Sequence, residues 1–420
     1  MIPAPPIAVP LIEGKKAPPK VILSLCSIFC GLTLAEQLSN NILPLTLHRF
    51  TADASIIGMI LAIHPIFGFV TQPLVGVLSD RIWTPVGRRA FFLITCAPLG
   101  AVCLLVVPHL PALWQIVTVV VLFQFLLAML WGSDHPLIAD LVPSAQRTFV
   151  KSCMMTAGQI TAFFFVKYGL GRALDRFGEP WIYRFIAAAL VVLIAAAAFF
   201  LNEERLPPST RPKLTPRRYV MDLFGDPVLR RFGFIGLTQA LAEHIIAGFV
   251  VLFAVQTMHV SKADFGNAWS NQALIALTCA IPLGFLVERL PKPWVLVTGF
   301  AFSIAGCVLG WFARDAHSFF AIALLVGFGG VIGNVTFKPF FSEYLPRDII
   351  GQLTGAYNIC YAVGRSIALA GGGWLVGHLG NNYRFIWIIA AVFGVVSALI
   401  AASIPDVRYV QRKAARRTME

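Results

Sequence analysis

Charge is what this sequence has least of. Asp, Glu, Lys and Arg make up 13% of its 420 residues, against 58% hydrophobic residues, whereas soluble globular chains carry about a quarter charged. That balance excludes a soluble fold of this size and leaves a bilayer as the solvent. Acids are scarcer still, 20 against 33 basic residues, for a net charge of +13. The basic excess forms no stripe of the kind nucleic acid requires. It sits in short clusters between apolar runs, the distribution that orients membrane spans, so no nucleic-acid partner is expected. The eight cysteines, Cys26, Cys30, Cys96, Cys103, Cys153, Cys279, Cys307 and Cys360, make no CxxC and no metal-finger spacing. They read as packing residues. No GxxxxGK[ST] is present. The chain is therefore expected to be no enzyme and to need no cofactor or metal.

What is abundant is long apolar sequence. Runs of about 20 residues, the length that crosses a bilayer, lie near 21–47, 54–79, 90–108, 112–142, 148–173 and 181–201. Six more lie near 231–258, 265–287, 294–312, 317–345, 351–377 and 383–404. The expected fold is an all-α integral membrane protein of twelve transmembrane helices in two pseudo-symmetric six-helix bundles. Residues 1–20 form an N-terminal tail, 21–201 the first bundle, 202–230 a linker, 231–404 the second bundle and 405–420 a C-terminal tail. The N-terminal tail is broken by prolines and fits neither a signal peptide nor a helix. In the linker, one short amphipathic helix is expected around Tyr219 to Phe224.

The two halves are copies. HPLIADLVP at His135 to Pro143 returns as KPFFSEYLP at Lys338 to Pro346, a shift of 338 minus 135, or 203 residues. Gly31-Leu32-Thr33 with Ala35-Glu36 returns as Gly236-Leu237-Thr238 with Ala242-Glu243. Gly76, Asp80 and Arg81 return as Gly284, Glu288 and Arg289, and Tyr183-Arg184-Phe185-Ile186 returns unchanged at Tyr383 to Ile386. Matches in one order at nearly one spacing indicate duplication. Six spans per copy is an even number, so the copies cross in the same sense, related by an axis along the membrane normal. Basic residues gather in the tails, at Arg81, Arg88 and Arg89, at Arg147 and from Arg205 to Arg231. Both termini are therefore expected on the cytoplasmic side of the cell's inner (plasma) membrane.

The loop after the second span reads GVLSDRIWTPVGRR, Gly76 to Arg89. Gly76 lets another helix approach, Asp80 can face a helix N-terminus, and Arg81, Arg88 and Arg89, after the turn at Gly87, can pair with neighbouring carboxylates. This resembles the signature loop of the major facilitator superfamily, and span number, duplication and central linker resemble it as well. The resemblance implies a cytoplasmic gate in which Asp140 pairs with Arg81 or Arg88, mirrored by Glu343 with Arg289; Glu288 completes the second copy.

Ionisable residues inside spans cost about 2.5 to 3.5 kcal/mol at a helix centre on insertion scales, so each needs a reason. Glu36 and Glu243 are the foremost, placed by duplication at matching depth on two helices that line the central cavity in the family resembled. Proton binding there would remove a charge or break a pair with Lys338, Arg365 or His135. His244, Asp134, His135, Lys338 and Arg365 join them as substrate or coupling residues. Lys167 and His64 are further intramembrane ionisable residues, and His64 reads as a packing residue. Asp134-His135 lacks the additional spacing of a metal site. Gln37, Asn40, Asn41, Gln159, Gln239, Asn271, Gln272, Asn334, Tyr357, Asn358 and Tyr361 offer hydrogen bonds to a substrate or between helices.

QPLVGVLSDRIWTPVGRRAFF and PLIADLVPSAQR are similar to loops of the sucrose symporters and of the glycoside-pentoside-hexuronide cation symporters. This implies uptake of a sugar or glycoside driven by protons or another cation. His135 departs from the arginine usual there, and the usual Arg-Arg-Arg-Pro is reduced to Arg88-Arg89-Ala90. A monomer carrying a small solute through lipid is expected. A proton-driven exporter of drugs or metabolites, and a non-transporting helper of the same fold, remain open as alternatives.

Overall fold

A chain that crosses lipid must satisfy its backbone N–H and C=O groups within the protein, which leaves an apolar span helical. The computed structural model follows that rule. It describes residues 17–79, 84–143, 146–201, 221, 223–287, 289–345 and 350–406, and among them there is helix and turn but no strand. The spans are α1 (Pro19–His48), α2 (Ala54–Ser79), α3 (Ala90–His109), α4 (Leu113–Leu141), α5 (Phe149–Phe177) and α6 (Glu179–Phe199) in the first half. The second half holds α7 (Pro227–Thr257), α8 (Lys262–Val287), α9 (Lys292–Phe312), α10 (Ala316–Tyr344), α11 (Ile350–His378) and α12 (Phe385–Ser403). Among the described residues eleven helices are long and apolar enough to cross a membrane, and α2, at 26 residues, is the twelfth by length.

Local chemistry sets the ends. Asp226 caps α7 by accepting from the N–H groups of Val228 and Leu229 at 2.7 and 2.9 Å, with Pro227 at the first helical position, where a missing N–H costs nothing. Ser261 caps α8 and Asp315 caps α10 through its bond from Ser318 N–H at 2.8 Å. Hydrogen bonds from Ser318 hold the exposed Asp315 carboxyl below its ordinary range. Gly178, at φ +77°, turns the chain between α5 and α6. Of the expected linker helix, Met221 and Leu223 to Gly225 are helical, with Met221 exposed and Leu223 buried; Tyr219, Val220 and Asp222 lie outside the described residues.

The repeated Tyr-Arg-Phe-Ile motif does equivalent work in each half. Tyr183, fully buried, meets the Thr46 hydroxyl at 2.8 Å near the end of α1, and Tyr383, also buried, stacks on Phe249 of α7. Each motif thus locks the sixth helix of its half to the first. Within halves, α1 packs on α5, α2 on α4, α3 on α4, α7 on α11 and α12, and α9 on α10 and α12; the halves meet along α2 with α11 and along α5 with α8. Large apolar side chains such as Leu23, Trp114, Phe285, Phe312 and Leu399 are exposed, as lipid-facing positions should be.

Candidate functional site

Midway along α1, Glu36 meets the guanidinium of Arg365, midway along α11, with Oε1 3.0 Å from Nη2. One partner comes from each half. Their side chains are 28% and 16% exposed, so the pair is neither sealed in the core nor freely hydrated. Just beyond Glu36 the helix widens: Leu43 N–H donates to Leu38 C=O, a π-helical turn over Leu38–Ile42. Pro44 explains the break, since it has no N–H to return to the Asn40 carbonyl. Asn41 Nδ2 steadies the turn by donating to Gln37 O at 3.1 Å and Gln37 Oε1 at 2.9 Å. His64, buried on α2, shares a small void with Ser39, Asn40, Gln124 and Arg365. It was expected to be packing, and it is buried, but against this pair.

Glu243 on α7 has neutral partners. Gln239, one turn back, donates to Oε1 at 2.8 Å, and the Tyr361 hydroxyl of α11 donates to Oε2 at 2.8 Å. Of the pairs expected for Glu36 or Glu243 with Lys338, Arg365 or His135, Glu36 with Arg365 forms, whereas Glu243 does not take Arg365, and the described side chain of Lys338 is exposed lower on α10. His244 turns its Nδ1 to Ala240 O at 3.1 Å, and its ring stands perpendicular to that of Tyr361. Gly236 makes this approach of α7 and α11 feasible, because a Cβ there would fall 2.4 Å from the Tyr357 ring.

A cavity of about 220 Å³ opens between the halves. Its polar lining is amide: Gln37 of α1, Gln159 of α5, Gln272 of α8 and Asn334 of α10, beside Ser270 and Trp269. Asn271 turns away, with Nδ2 on the Asn267 and Ala268 carbonyls of its own helix. Asn358 is exposed and Tyr357 is buried among Phe337 and Phe341. Lys167 lies over the Phe163 and Tyr168 rings of α5, away from the cavity lining. Lys338 follows Asn334 by four residues, hence on the same face of α10, and both are exposed. Lys338 lies nearer than Asn334 to the end of the bundle that carries the termini, where α10 ends at Tyr344. Asp134, fully buried on α4, lies 3.8 Å from Lys151 of α5. The side chain of His135 lies outside the described residues.

At the opposite end the halves touch. A Cβ on Gly58 of α2 would lie 2.3 Å from Leu369 O and 2.9 Å from Gly373 Cα of α11, and one on Gly266 of α8 would lie 2.6 Å from Val166 O of α5. Gly171 and Gly373 complete the two seams, and Ala54 N–H donates to Asn381 Oδ1 at 2.9 Å across the first.

The expected gate forms in part. Gly87, at φ +112°, turns the chain so that both arginines reach the last turn of α4. Arg88 Nη2 stands 2.8 Å and Arg89 Nε 2.9 Å from Asp140 Oδ2. Asp80, Arg81 and Glu288 lie outside the described residues, as does any detail of Gly76 beyond its place in α2. The mirror pair needs correction: Glu343 bonds Lys292, not Arg289. Arg289 is exposed in the turn after α8, whereas Lys292 opens α9, buried against the end of α10. The spacing confirms the equivalence, since 292 minus 89 and 343 minus 140 are both 203. Sequence reasoning also passed over Lys151, Trp269 and the seam glycines, although 266 minus 58 equals 284 minus 76, or 208.

The sequence model of the Major Facilitator Superfamily matches residues 25–261 and again 232–419. Protein spinster of Drosophila melanogaster is 25% identical over 177 residues, a stretch that covers 41% of this chain and only 28% of that protein. Among solved structures, a bacterial homologue of the human lysosomal transporter Spinster, inward-facing and unoccupied, superposes with a TM-score of 0.69 at 13% identity, covering 91% of this chain and 95% of that one. An auto-inhibited peptide transporter of the POT family gives 0.69 at 14% identity over 91% and 96%. The nucleoside transporter NupG gives 0.66 at 14% over 92% and 99%. At these identities the likeness is one of fold.

Proposed function

This chain belongs to the major facilitator superfamily of membrane transporters, and we propose that it carries a small glycoside, a class that includes nucleosides, with proton movement as the driving force. The observation that carries the substrate reading is the amide box. Four amides on four helices line a space with no ionisable side chain among its described lining residues, and Trp269 lines it as well. Amides donate and accept at once and so suit hydroxyls, and an indole ring suits the apolar surface of a sugar ring or a base. Binding at the meeting of two halves, with the halves rocking about it, is alternating access.

Proton coupling rests on Glu36 and Glu243. Protonating Glu36 discharges its side of the cross-half pair with Arg365, and a pair that spans both halves must break or re-form when they rock. Glu243 accepts two hydrogen bonds as a carboxylate and can donate one when protonated, which exchanges the role of Tyr361 from donor to acceptor. In this reading Arg88, Arg89, Asp140, Lys292 and Glu343 hold each half rigid on the cytoplasmic side, the termini lie in the cytoplasm, and the protein works as a monomer in the plasma membrane.

The test is flux. Purified protein in liposomes is loaded with unlabelled glycosides or nucleosides and assayed for counterflow of the labelled solute, with and without an imposed pH gradient. Exchange of one such solute, with concentrative uptake only under the gradient, supports the reading. Exchange that ignores pH removes the proton, and export of amphipathic drugs in place of glycoside exchange removes the substrate.

A further inference from the structure

A side-chain amide has N–H groups at one end and an oxygen at the other, and the end that faces a cavity is decided by what holds its opposite end. Two of the lining amides are held in this way. Asn41 Nδ2 donates to the Gln37 backbone carbonyl at 3.1 Å and to Gln37 Oε1 at 2.9 Å. A carbonyl only accepts, so the Asn41 end that reaches it is the N–H end, and Gln37 meets that same end with its oxygen. The Gln37 amide is thereby turned to leave Nε2 and its hydrogens for the cavity it lines. On α10 the opposite holds. Asn334 Nδ2 donates to the Gly330 carbonyl one turn back, at 3.0 Å, which leaves Oδ1 of this exposed, cavity-lining side chain to accept. Gln272 of α8 agrees with Asn334, since its Nε2 is buried and Oε1 is the end left for the cavity. The first half therefore lends the cavity a donor and the second half lends it acceptors.

We propose that Gln37 and Asn334 select an acylamino group on the transported glycoside, its C=O accepting from Gln37 Nε2 and its N–H donating to Asn334 Oδ1. This rests on the glycoside reading and narrows it. A hydroxyl rotates to donate or accept as its neighbours require, so a plain sugar gains little from walls of fixed polarity. A secondary amide is planar and trans, with its C=O and N–H pointing in opposite directions, and it seldom leaves that form. It can therefore offer an acceptor to one half and a donor to the other at once. A free amine is less well served, because the described lining holds no carboxylate to balance its charge. Asn41 is a positioning residue in this scheme: it decides which end of Gln37 the ligand meets. Because the two selecting groups belong to different halves, the amide bridges the halves that rock about it.

The experiment measures binding to the purified full-length protein by thermal stabilisation with four probes. These are methyl N-acetylglucosaminide, methyl 2-O-acetylglucoside, methyl glucoside and the dipeptide alanylalanine. The ester keeps the carbonyl and loses the N–H, and the dipeptide keeps the trans amide and loses the sugar. The acetamido sugar should bind roughly tenfold more tightly than the ester or methyl glucoside, since a site built to hydrogen-bond a donor rejects the analogue that lacks it. Asn334→Leu, at an exposed position where folding is not at stake, should bring amide and ester to equal affinity. Asn41→Ala should reduce the ratio of amide to ester binding, a change that a purely structural role for Asn41 would not produce. Equal binding of the three sugars, or a preference for amide over ester that survives Asn334→Leu, overturns the selection while leaving the glycoside reading intact. Stabilisation by alanylalanine with no response to any sugar overturns the glycoside reading and assigns the amide to a peptide.

Discussion

Tyr361 and Arg365 stand one helical turn apart on α11, and each holds a glutamate from the first helix of a half: Tyr361 holds Glu243 of α7, and Arg365 holds Glu36 of α1. One helix therefore carries both carboxylates that the duplication places in register. The two are held differently, Glu243 within its own half by neutral groups and Glu36 across the halves by a full charge. Glu36→Gln should leave Arg365 uncompensated and lower stability by up to about 3 kcal/mol, since losing one member of a poorly hydrated pair exposes the other to its desolvation cost. Glu36→Gln combined with Arg365→Gln should recover most of that loss. Thermal unfolding in detergent measures both, and a double variant no better than the single one would refute the pairing.

Glu243→Gln keeps an oxygen to accept from Tyr361 and should fold within about 1 kcal/mol of the parent, while Glu243→Leu strands two polar partners and should cost about 1 to 3 kcal/mol. In transport, Glu243→Gln should flatten the pH dependence of uptake with exchange preserved. A pH profile of uptake identical to the parent's in this variant assigns the proton elsewhere.

The spans were legible because apolar length has one meaning in lipid, and Arg88 with Asp140 was legible because both flank a loop of distinctive pattern. Lys292 was not, because the shift that relates Gly76 to Gly284 was carried through to Arg289. The α2 to α3 turn and the α8 to α9 turn differ in length, so beyond the turn the shift falls to the 203 that separates Arg89 from Lys292. Glu36 and Arg365 were each visible as costly residues and as possible partners, but which glutamate takes the arginine depends on how α1 and α11 approach from opposite halves, which no local periodicity encodes. Trp269 is one of nine tryptophans, and nothing in its neighbourhood marks it as the one beside the cavity.

The corrected gate makes its own prediction. Lys292→Ala should leave Glu343 without its buried cation and cost about 1 to 3 kcal/mol, with slowed transport, whereas Arg289→Ala at an exposed turn should stay within about 0.5 kcal/mol. Arg89→Ala should resemble Lys292→Ala. Melting temperatures and counterflow rates for the three variants suffice, and a larger effect from Arg289 than from Lys292 would reinstate the pair first expected.

The seams at the far end depend on missing side chains. At Gly58 a Cβ would sit 2.3 Å from a backbone oxygen of α11, and at Gly266 2.6 Å from one of α5. Backbone cannot yield as a flexible side chain can, so each substitution must push the halves apart at that end. Gly58→Val and Gly266→Val together should therefore shift the population toward the form open at the end opposite the termini. Gly355→Val, on α11 where nothing lies within 4 Å of the added atom, is the matched control, since it adds the same β-branched strain to a helix without touching a seam. Spin labels at Thr51 and Asn382, in the turns that follow α1 and α11, read the separation in a cysteine-free background. The paired glycine variant should lengthen that distance and make uptake at least tenfold slower, because rocking then stalls on one side, while the control leaves the distance unchanged. An unchanged distance in the paired variant would mean that the seams close through other contacts.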